Sequence, residues 1–209
     1  MRGGIRFFLI RHGETEWNAK GIIRGISDVP LSAKGRAEAE ALAGRLRGVP
    51  LASVHTSRLA RARETAAILL NARGASLPLE IDEGLTDIDR GRWEGLTRDQ
   101  ARSRWPEIYD LWFSRPQETV FPDGESLLQV QDRARRAFDR IAGLAAGDTA
   151  VVTHHVVIRA LLCSLLGLDL SRFRRFEAFP ASISELRHEH GAWTLFGLND
   201  VGHLKMSQA

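Results

Sequence analysis

Short apolar runs recur along the chain and are typical of buried β-strands. The four clearest lie at residues 5–10, 52–56, 77–81 and 148–153. They are rich in aliphatic, β-branched or aromatic residues and are bounded by turn-forming residues, as strands are. Two further stretches, 182–187 and 192–197, predict a β-hairpin with His190 and Gly191 at its turn.

Between the strands, apolar residues recur every three or four positions, and serine residues mark the expected helix starts. Ser32 is predicted to cap a helix over 33–47, and Ser57 to cap a helix over 58–72. A third helix opens at Ser126, and an apolar fourth helix follows His154 and runs to Gly167. The third helix is expected to face the core with Leu127, Val130, Ala134, Phe138, Ile141 and Leu144.

Strands that alternate with helices predict a mainly parallel sheet with helices on both faces. The regular pattern is lost over 82–124, where turn residues and three tryptophans predict an inserted lid or cap. We interpret Trp93, Trp105 and Trp112 as packing residues. The expectation is one α/β domain over 1–209: a three-layer α/β/α sandwich with an antiparallel edge strand and a lid at 82–124.

The composition of the chain also indicates which class of ligand it binds. The 209 residues carry a net charge of only +3, yet arginine supplies all but three of the 29 basic residues. Guanidinium groups bind phosphate well, so an anionic ligand is expected. The clusters at 133–136 and 172–175 are interpreted as solvated helix faces because acidic residues are interleaved through the sequence. No nucleic-acid partner is expected.

Other features favour an ordinary globular class. Cys163 lies in an apolar run and is expected to be buried and inert, which favours a reducing, cytoplasmic setting. No signal-peptide pattern opens the sequence and no apolar stretch approaches 18 residues, so no membrane partner is expected. The sequence has no nucleotide-binding fingerprint, and His154-His155 lacks a third ligand at suitable spacing. Neither a cofactor nor a metal is expected.

Charged and imidazole side chains follow three of the predicted strands. Arg11-His12-Gly13 follows the first strand, and His154-His155 follows the fourth, while the second leads into a helix that contains Arg61. In a parallel sheet these strand ends share one edge, where ligands bind. A neutral imidazole can attack phosphorus, arginines neutralise the phosphoryl oxygens, and a carboxylic acid can protonate the leaving oxygen.

Five motifs, in order along the chain, resemble those of the histidine phosphatase superfamily, which includes cofactor-dependent phosphoglycerate mutases and many small phosphatases. They are Arg11-His12-Gly13-Glu14-Thr15 with Trp17-Asn18; Gly25 with 28–32 and Gly35; 57–66; 85–95; and 151–154 with 157–159. The resemblance implies that His12 is the phosphorylated nucleophile. It also implies that Arg11 and Arg61 bind the phosphoryl oxygens with Asn18, and that His154 is the second catalytic histidine.

The sequence departs from the family pattern at three positions. The acid of the family is usually a glutamate, and Asp87 stands in its register; Glu83 is the alternative. Arg24 replaces a small polar residue or glutamine next to Gly25, and His155 replaces a frequent glycine. Substrate specificity is expected to depend on these three positions, and Arg24 and His155, together with Gly25 of the second motif, are candidate substrate contacts.

The leading hypothesis is a metal-independent phosphomonoester hydrolase that acts on a small metabolite, such as a phosphosugar, a phosphoglycerate or α-ribazole phosphate. The alternative is a phosphoglycerate mutase, although Arg102-Ser103-Arg104 does not reproduce the adjacent arginine pair of that enzyme. A non-catalytic phospho-ligand or nucleic-acid binder is the third hypothesis. A homodimer is left open.

Overall fold

A six-stranded sheet lies at the centre of the described structure. The computed structural model describes residues 4–74, 77–189 and 191–204. Its strands are β1 (Ile5–Arg11), β2 (Ser53–Thr56), β3 (Leu79–Ile81), β4 (Thr149–Thr153), β5 (Ile183–Glu189) and β6 (Ala192–Asp200). Their order is β3-β2-β4-β1-β5-β6, and the first four are parallel neighbours. Strand β5 is antiparallel to β1 and to β6. The predicted mainly parallel sheet with an antiparallel strand is confirmed; of the predicted hairpin turn, His190 lies outside the described residues.

Seven α-helices connect these strands in the described part of the chain. They are α1 (Glu16–Ala19), α2 (Ala33–Leu46), α3 (Ala60–Asn71), α4 (Arg98–Arg104), α5 (Pro106–Ser114), α6 (Leu127–Leu144) and α7 (His155–Leu165). Short 3-10 turns occur at Glu83–Leu85, Gly91–Trp93, Pro116–Glu118 and Leu170–Arg175. None of these helices is both long and apolar enough to cross a membrane.

Alternate residues of β1 belong to two separate cores. Phe7 and Leu9 pack in the core that contains the apolar residues of α6 and α7. Phe8 and Ile10 pack in the core of α2 and α3. Because successive side chains of a strand point to opposite faces, this division places one helix pair on each side of the sheet. The predicted three-layer sandwich is confirmed.

The predicted cap at Ser32 is present, and Ser126, where a helix was predicted to open, caps α6. Ser32 Oγ accepts from the Gly35 amide at 3.0 Å, and Ser126 Oγ accepts from the Gln129 amide at 3.2 Å. The cap predicted at Ser57 was wrong, because α3 begins at Ala60 and Leu59 occupies its N-cap position. The inward position predicted for Leu144 was also wrong: this last residue of α6 is 80% exposed.

The ends of β1, β2 and β4 meet at one edge of the sheet. Arg11 is in register with Thr153, and Thr56 with Val152. Hydrogen bonds continue this pairing past the strands, since the His12 amide donates to the Thr153 carbonyl at 3.1 Å. The residues that follow the three strands are therefore neighbours, as the sequence predicts.

The segment 82–124 packs over the same edge. Trp93, Trp112 and Phe121 are buried in the larger core, and Trp105 packs against that core while partly exposed. The packing role predicted for the three tryptophans is confirmed. Cys163 is buried as well, and burial raises the pKa of its thiol to about 11, in line with the inert thiol expected from the sequence.

Candidate active site

His12 lies directly after β1 and is almost fully buried. Its Nδ1 is 2.6 Å from the Gly13 carbonyl oxygen, which can only accept, so Nδ1 carries the proton and the Nε2 lone pair is free. Burial holds the pKa of His12 well below its usual value, and Arg61, His154 and Arg11 lower it further. The ring is therefore a neutral imidazole at pH 7.

Gly13 holds the next position because of a close approach. A Cβ there would lie 2.3 Å from the carbonyl oxygen of Gly35 on α2. The residue does not need a positive φ, which distinguishes it from the glycines of this chain that do. A glycine at this position thus allows α2 to pack closely on the loop after β1.

His154 follows β4 and lies beside His12, with 5.1 Å between the ring centroids. Its Nε2 is 2.8 Å from Ser57 Oγ, which also accepts from the Leu59 amide at 3.2 Å. The Nδ1 atom is buried without a hydrogen-bond partner among the described residues, 3.8 Å from Asp87 Oδ2. Burial holds the pKa of His154 well below its usual value, and the positive charge of Arg61 lowers it further.

Arg61 extends from α3 and is completely buried. Its Nη1 donates to the Ser27 carbonyl at 2.8 Å, and its Nη2 donates to the Gly25 carbonyl at 2.7 Å and to Asp87 Oδ2 at 3.2 Å. The loop that offers these carbonyls is fixed by Glu94, whose carboxylate accepts from the amides of residues 26 and 27 at 2.8 Å. A Cβ at Gly25 would lie 2.6 Å from the backbone carbonyl oxygen of Ile88 and 1.9 Å from Glu94 Oε1, so a larger residue there requires the backbone to shift.

Arg11, the last residue of β1, is anchored by a different part of the chain from the loop that holds Arg61. Its Nη1 donates to the Ala178 carbonyl at 2.7 Å. Burial lowers the pKa of its guanidinium to about 10, which leaves it charged at pH 7. The structure thus brings Arg11, His12, Arg61 and His154 together as the sequence predicts.

Asp87 joins this group from the segment 82–124. Burial alone would raise the pKa of its carboxyl, but Arg61, Arg90 and Arg24 outweigh this effect and hold the pKa below its usual value. Glu83, the alternative acid, is 74% exposed at its side chain and pairs with Arg58 at 2.9 Å. Of the two carboxylates, only Asp87 lines the cavity that also contains Arg11, and its Oδ2 lies 3.8 Å from His154 Nδ1.

Arg133 holds the loop that carries Asp87. Its Nη1 donates to the Gly84 carbonyl at 3.0 Å, its Nη2 donates to the Asp87 carbonyl at 2.9 Å, and Glu125 accepts from its Nε at 2.8 Å. The solvated helix face predicted for 133–136 was wrong at this residue. The carbonyls that Arg133 binds lie more than 40 residues away in sequence, so no local pattern reveals them.

Arg11 and Asp87 of this group line a cavity of about 350 Å³, whereas His12, Arg61 and His154 are not among its lining residues. Asn18 and Arg24 line it on one side and His155 on another. Asn18 Oδ1 accepts from the Thr15 amide at 3.0 Å, which leaves its NH₂ group as a donor. The segment 82–124 supplies a further wall, made of Asp87, Arg90, Trp93, Arg98, Tyr109, Trp112 and Phe113.

His155 is held as a neutral acceptor. Arg159 Nη1, which can only donate, is 3.1 Å from His155 Nε2, so this nitrogen carries the lone pair. Burial and, to a smaller extent, the positive charges of Arg11 and Arg159 lower the pKa of His155 to about 2. The 3.4 Å approach of Glu177 to the same nitrogen is therefore not an ion pair.

In the described ranges, no group of three or more His, Cys, Asp or Glu residues is arranged to hold a metal ion.

Sequence reasoning missed three residues of this site: Ser57, Arg90 and Arg133. Ser57 was assigned to a helix cap, although its position directly after β2 placed it at the same edge as the two histidines. Arg90 lies three positions after Asp87 in the recognised motif, which is the available signal for it. For Arg133 the sequence holds no such signal.

Comparison with known proteins agrees with this geometry. The family profile described as "Histidine phosphatase superfamily (branch 1)" matches residues 7–201. Phosphoserine phosphatase 1 of Hydrogenobacter thermophilus is 32% identical over 96% of this chain and 94% of its own length. A probable phosphoglycerate mutase GpmB of Yersinia enterocolitica is 33% identical over 97% of this chain and 96% of its own. Among solved structures, Bacillus stearothermophilus YhfR superposes with a TM-score of 0.90 at 34% identity, over 95% of this chain and 98% of its own.

Proposed function

Because this chain belongs to the histidine phosphatase superfamily, we propose that it is a phosphomonoester hydrolase whose nucleophile is His12. The observation that carries the proposal is the buried, neutral imidazole with a free Nε2 lone pair between two guanidinium groups. A neutral ring is the reactive form, and the nearby cations favour the anionic group that it attacks.

Three buried donors around His12 support this assignment. Arg11 Nε, Arg61 Nε and His154 Nδ1 have no acceptor among the described residues. Buried donors are normally paired, and a phosphoryl group brings three acceptor oxygens. Arg11, Arg61 and His154 are therefore assigned to these oxygens, with the Asn18 amide as a further donor.

In the first step, His12 Nε2 attacks phosphorus in line, and the bond from phosphorus to the leaving oxygen breaks. Asp87 donates its proton to that oxygen, which departs as an alcohol. Asp87 is ionised in the free protein, but a dianionic phosphoryl group nearby raises the pKa of its carboxyl through like-charge repulsion. The substrate thus brings the acid into its protonated form.

In the second step, water attacks the phosphohistidine while Asp87 accepts a proton from it. The bond between phosphorus and His12 Nε2 breaks, and inorganic phosphate leaves. Ser57 contributes by orienting His154. When its hydroxyl donates to Nε2, the proton of His154 lies on Nδ1, which is directed toward Asp87 and the transferring group.

The substrate is assigned to the small phosphorylated metabolites, of the phosphosugar, phosphoglycerate or α-ribazole phosphate type. The similarity to a probable phosphoglycerate mutase keeps isomerisation as the second candidate. Against it, Arg102 and Arg104 are exposed and do not line the cavity, so they supply no carboxylate clamp there. A cytoplasmic location, a homodimer and a lid role for 82–124 stay predictions.

The test compares wild type with His12→Ala on a panel of phosphomonoesters that includes p-nitrophenyl phosphate, with a chelator present. Wild type is expected to release phosphate and to form an acid-labile phosphoprotein. The variant should lose roughly 10⁴-fold or more in kcat while keeping its circular dichroism spectrum. His188→Gln, at an exposed histidine on β5, is the matched control. Phosphate release by His12→Ala at the wild-type rate would refute the mechanism, and conversion of 3-phosphoglycerate to its 2-isomer without phosphate release would favour the mutase.

A further inference from the structure

We propose that Arg24 and Arg90 form a second anion-binding subsite, so that the preferred substrate carries a carboxylate or second phosphate besides the phosphoryl group that is transferred. This inference rests on the proposed function and narrows its substrate class. It is carried by the position, packing and missing partners of the two guanidinium groups.

Arg90 is held over two aromatic rings at the wall of the cavity. Its guanidinium carbon lies 5.0 Å from the ring centroid of Trp112 and 5.1 Å from that of Phe121. These contacts occupy the face of the guanidinium and leave its N–H edge for other partners. No described residue forms a hydrogen bond or an ion pair with that edge, although the side chain lines the cavity.

Arg24 meets the same cavity from the loop before Gly25. Its guanidinium also has no hydrogen bond or ion pair to a described residue, and its Nε is buried without an acceptor. Burial lowers the pKa of this group to about 9, and repulsion by Arg11, Arg61 and Arg90 contributes. Arg24 remains charged at pH 7 beside other cations, an arrangement that an anionic ligand stabilises.

The charge balance of the cavity favours a ligand with more than one anionic group. Six arginines line it and Arg61 reaches it through Asp87, against two carboxylates, Asp87 and Glu177. The lining histidine, His155, is neutral. A phosphomonoester dianion offsets two of the remaining five cations, which leaves three guanidinium groups for another acidic group.

The two arginine pairs have separate anchors, which divides their tasks. Arg11 and Arg61 are fixed by backbone carbonyls beside His12. Arg90 is fixed by aromatic rings of the segment 82–124, and Arg24 lacks any such anchor. The first pair therefore serves the phosphoryl group, and the second pair serves the part of the substrate that leaves.

The experiment compares substrates that differ in one acidic group. The first pair is 3-phosphoglycerate with glycerol 3-phosphate, in which CH₂OH replaces the carboxylate. The second pair is fructose 1,6-bisphosphate with fructose 6-phosphate, which tests a second phosphate. For each pair, the ratio of kcat/KM values is measured in wild type, and the ratio of Kd values is measured calorimetrically in His12→Ala, where turnover is not needed.

Wild type is expected to prefer the more acidic member of at least one pair by about tenfold or more, the scale of one charge-assisted hydrogen-bonding site. Arg24→Gln and Arg90→Gln should each reduce that preference about tenfold, and Arg90→Lys should keep part of it. Arg92→Gln is the matched control, because Arg92 pairs with Asp123 at 2.6 Å on the surface and does not line the cavity. Thermal melts verify that each variant is folded.

Two results would overturn the subsite: a wild-type preference near one for both pairs, or variants that weaken both members of a pair equally. The second result would assign Arg24 and Arg90 to the transferred phosphoryl group instead. Failure of the proposed function has a different signature. In that case wild type hydrolyses no phosphomonoester, including p-nitrophenyl phosphate, while the Kd ratios still report on the subsite.

Discussion

The edge formed by β1, β2 and β4 and the wall formed by 82–124 hold their functional groups in different ways. At the sheet edge, strand register and backbone carbonyls fix His12, Arg11 and Arg61. In the wall, other side chains hold the functional groups: Arg133 forms hydrogen bonds to the loop that carries Asp87, and Arg90 stacks on Trp112. Backbone contacts hold a constant geometry, whereas side-chain contacts can be exchanged by substitution. The sheet edge therefore suits the invariant phosphoryl chemistry, and the wall suits the choice of substrate.

Removing the acid of the wall should have the largest effect on this comparison. Asp87→Asn cannot protonate a leaving group, so kcat/KM for an alkyl phosphate should fall by roughly 10²–10⁴. For p-nitrophenyl phosphate, whose leaving group needs no proton, kcat/KM should fall far less. Steady-state kinetics with both substrates measure the difference, and kcat/KM excludes the later hydrolysis of the phosphohistidine.

Glu83→Gln is the matched control for that experiment, since Glu83 pairs with Arg58 on the surface. It should leave both kcat/KM values near those of wild type. A larger loss in Glu83→Gln than in Asp87→Asn, or equal losses of Asp87→Asn on both substrates, would remove Asp87 from the role of acid.

A smaller effect is expected at the sheet edge from Ser57→Ala. This change removes the hydroxyl partner of His154 Nε2, so the ring loses its fixed tautomer. We expect kcat to fall about tenfold with little change in KM, the scale of one hydrogen bond to a catalytic group. The ¹⁵N chemical shifts of the His154 ring should change as well. Ser126→Ala, at the cap of α6, should lower stability without changing those shifts; unchanged shifts in Ser57→Ala would contradict the assignment.

The smallest effect concerns the pH dependence of stability. His12, His154 and His155 have lowered pKa values and stay neutral in the fold, whereas each takes up a proton below about pH 6.5 when unfolded. Proton uptake by the unfolded chain means that stability falls as pH falls through this value. At pH 5.5 each of these histidines lowers the free energy of unfolding by about 1.4 kcal/mol relative to its value at high pH.

Urea unfolding at pH 7.5 and 5.5 measures this loss. His155→Gln should make this loss smaller by about 1.4 kcal/mol, because one of the three histidines is removed. His188→Gln, on the exposed part of β5, serves as the control. An identical pH dependence in wild type and His155→Gln would show that the fold does not hold His155 neutral.

Much of the sheet edge could be predicted from sequence because its logic is local. An apolar run ends at Arg11 and another at Thr153, so His12 and His154 follow strands, and parallel strands bring such residues together. Periodicity also located α2 and α6 through the caps at Ser32 and Ser126. The register of β1 with β4 then completes what the pattern implies.

The wall could not be predicted in the same way, because its contacts join distant parts of the chain. Arg133 lies on a helix surface by its spacing, yet its guanidinium binds carbonyls between residues 84 and 87. The position of Ser57 in the sequence predicts a helix cap, but in the fold its hydroxyl forms a hydrogen bond with His154. The stacking of Arg90 on Trp112 and Phe121 likewise depends on how 82–124 folds back on itself.

Two adjacent positions of one loop differ sharply in the changes that they can accept. At Gly25 a side chain would collide with the backbone carbonyl of Ile88 and with Glu94, and the carbonyl of Gly25 itself accepts a hydrogen bond from Arg61. At position 24 the guanidinium lines the cavity, and it forms no hydrogen bond or ion pair with a described residue. A change of residue there can alter which metabolite is accepted without disturbing the machinery that cleaves it. For protein engineering, position 24 is thus an entry point at which new substrate preferences can be selected while the reaction itself is inherited intact.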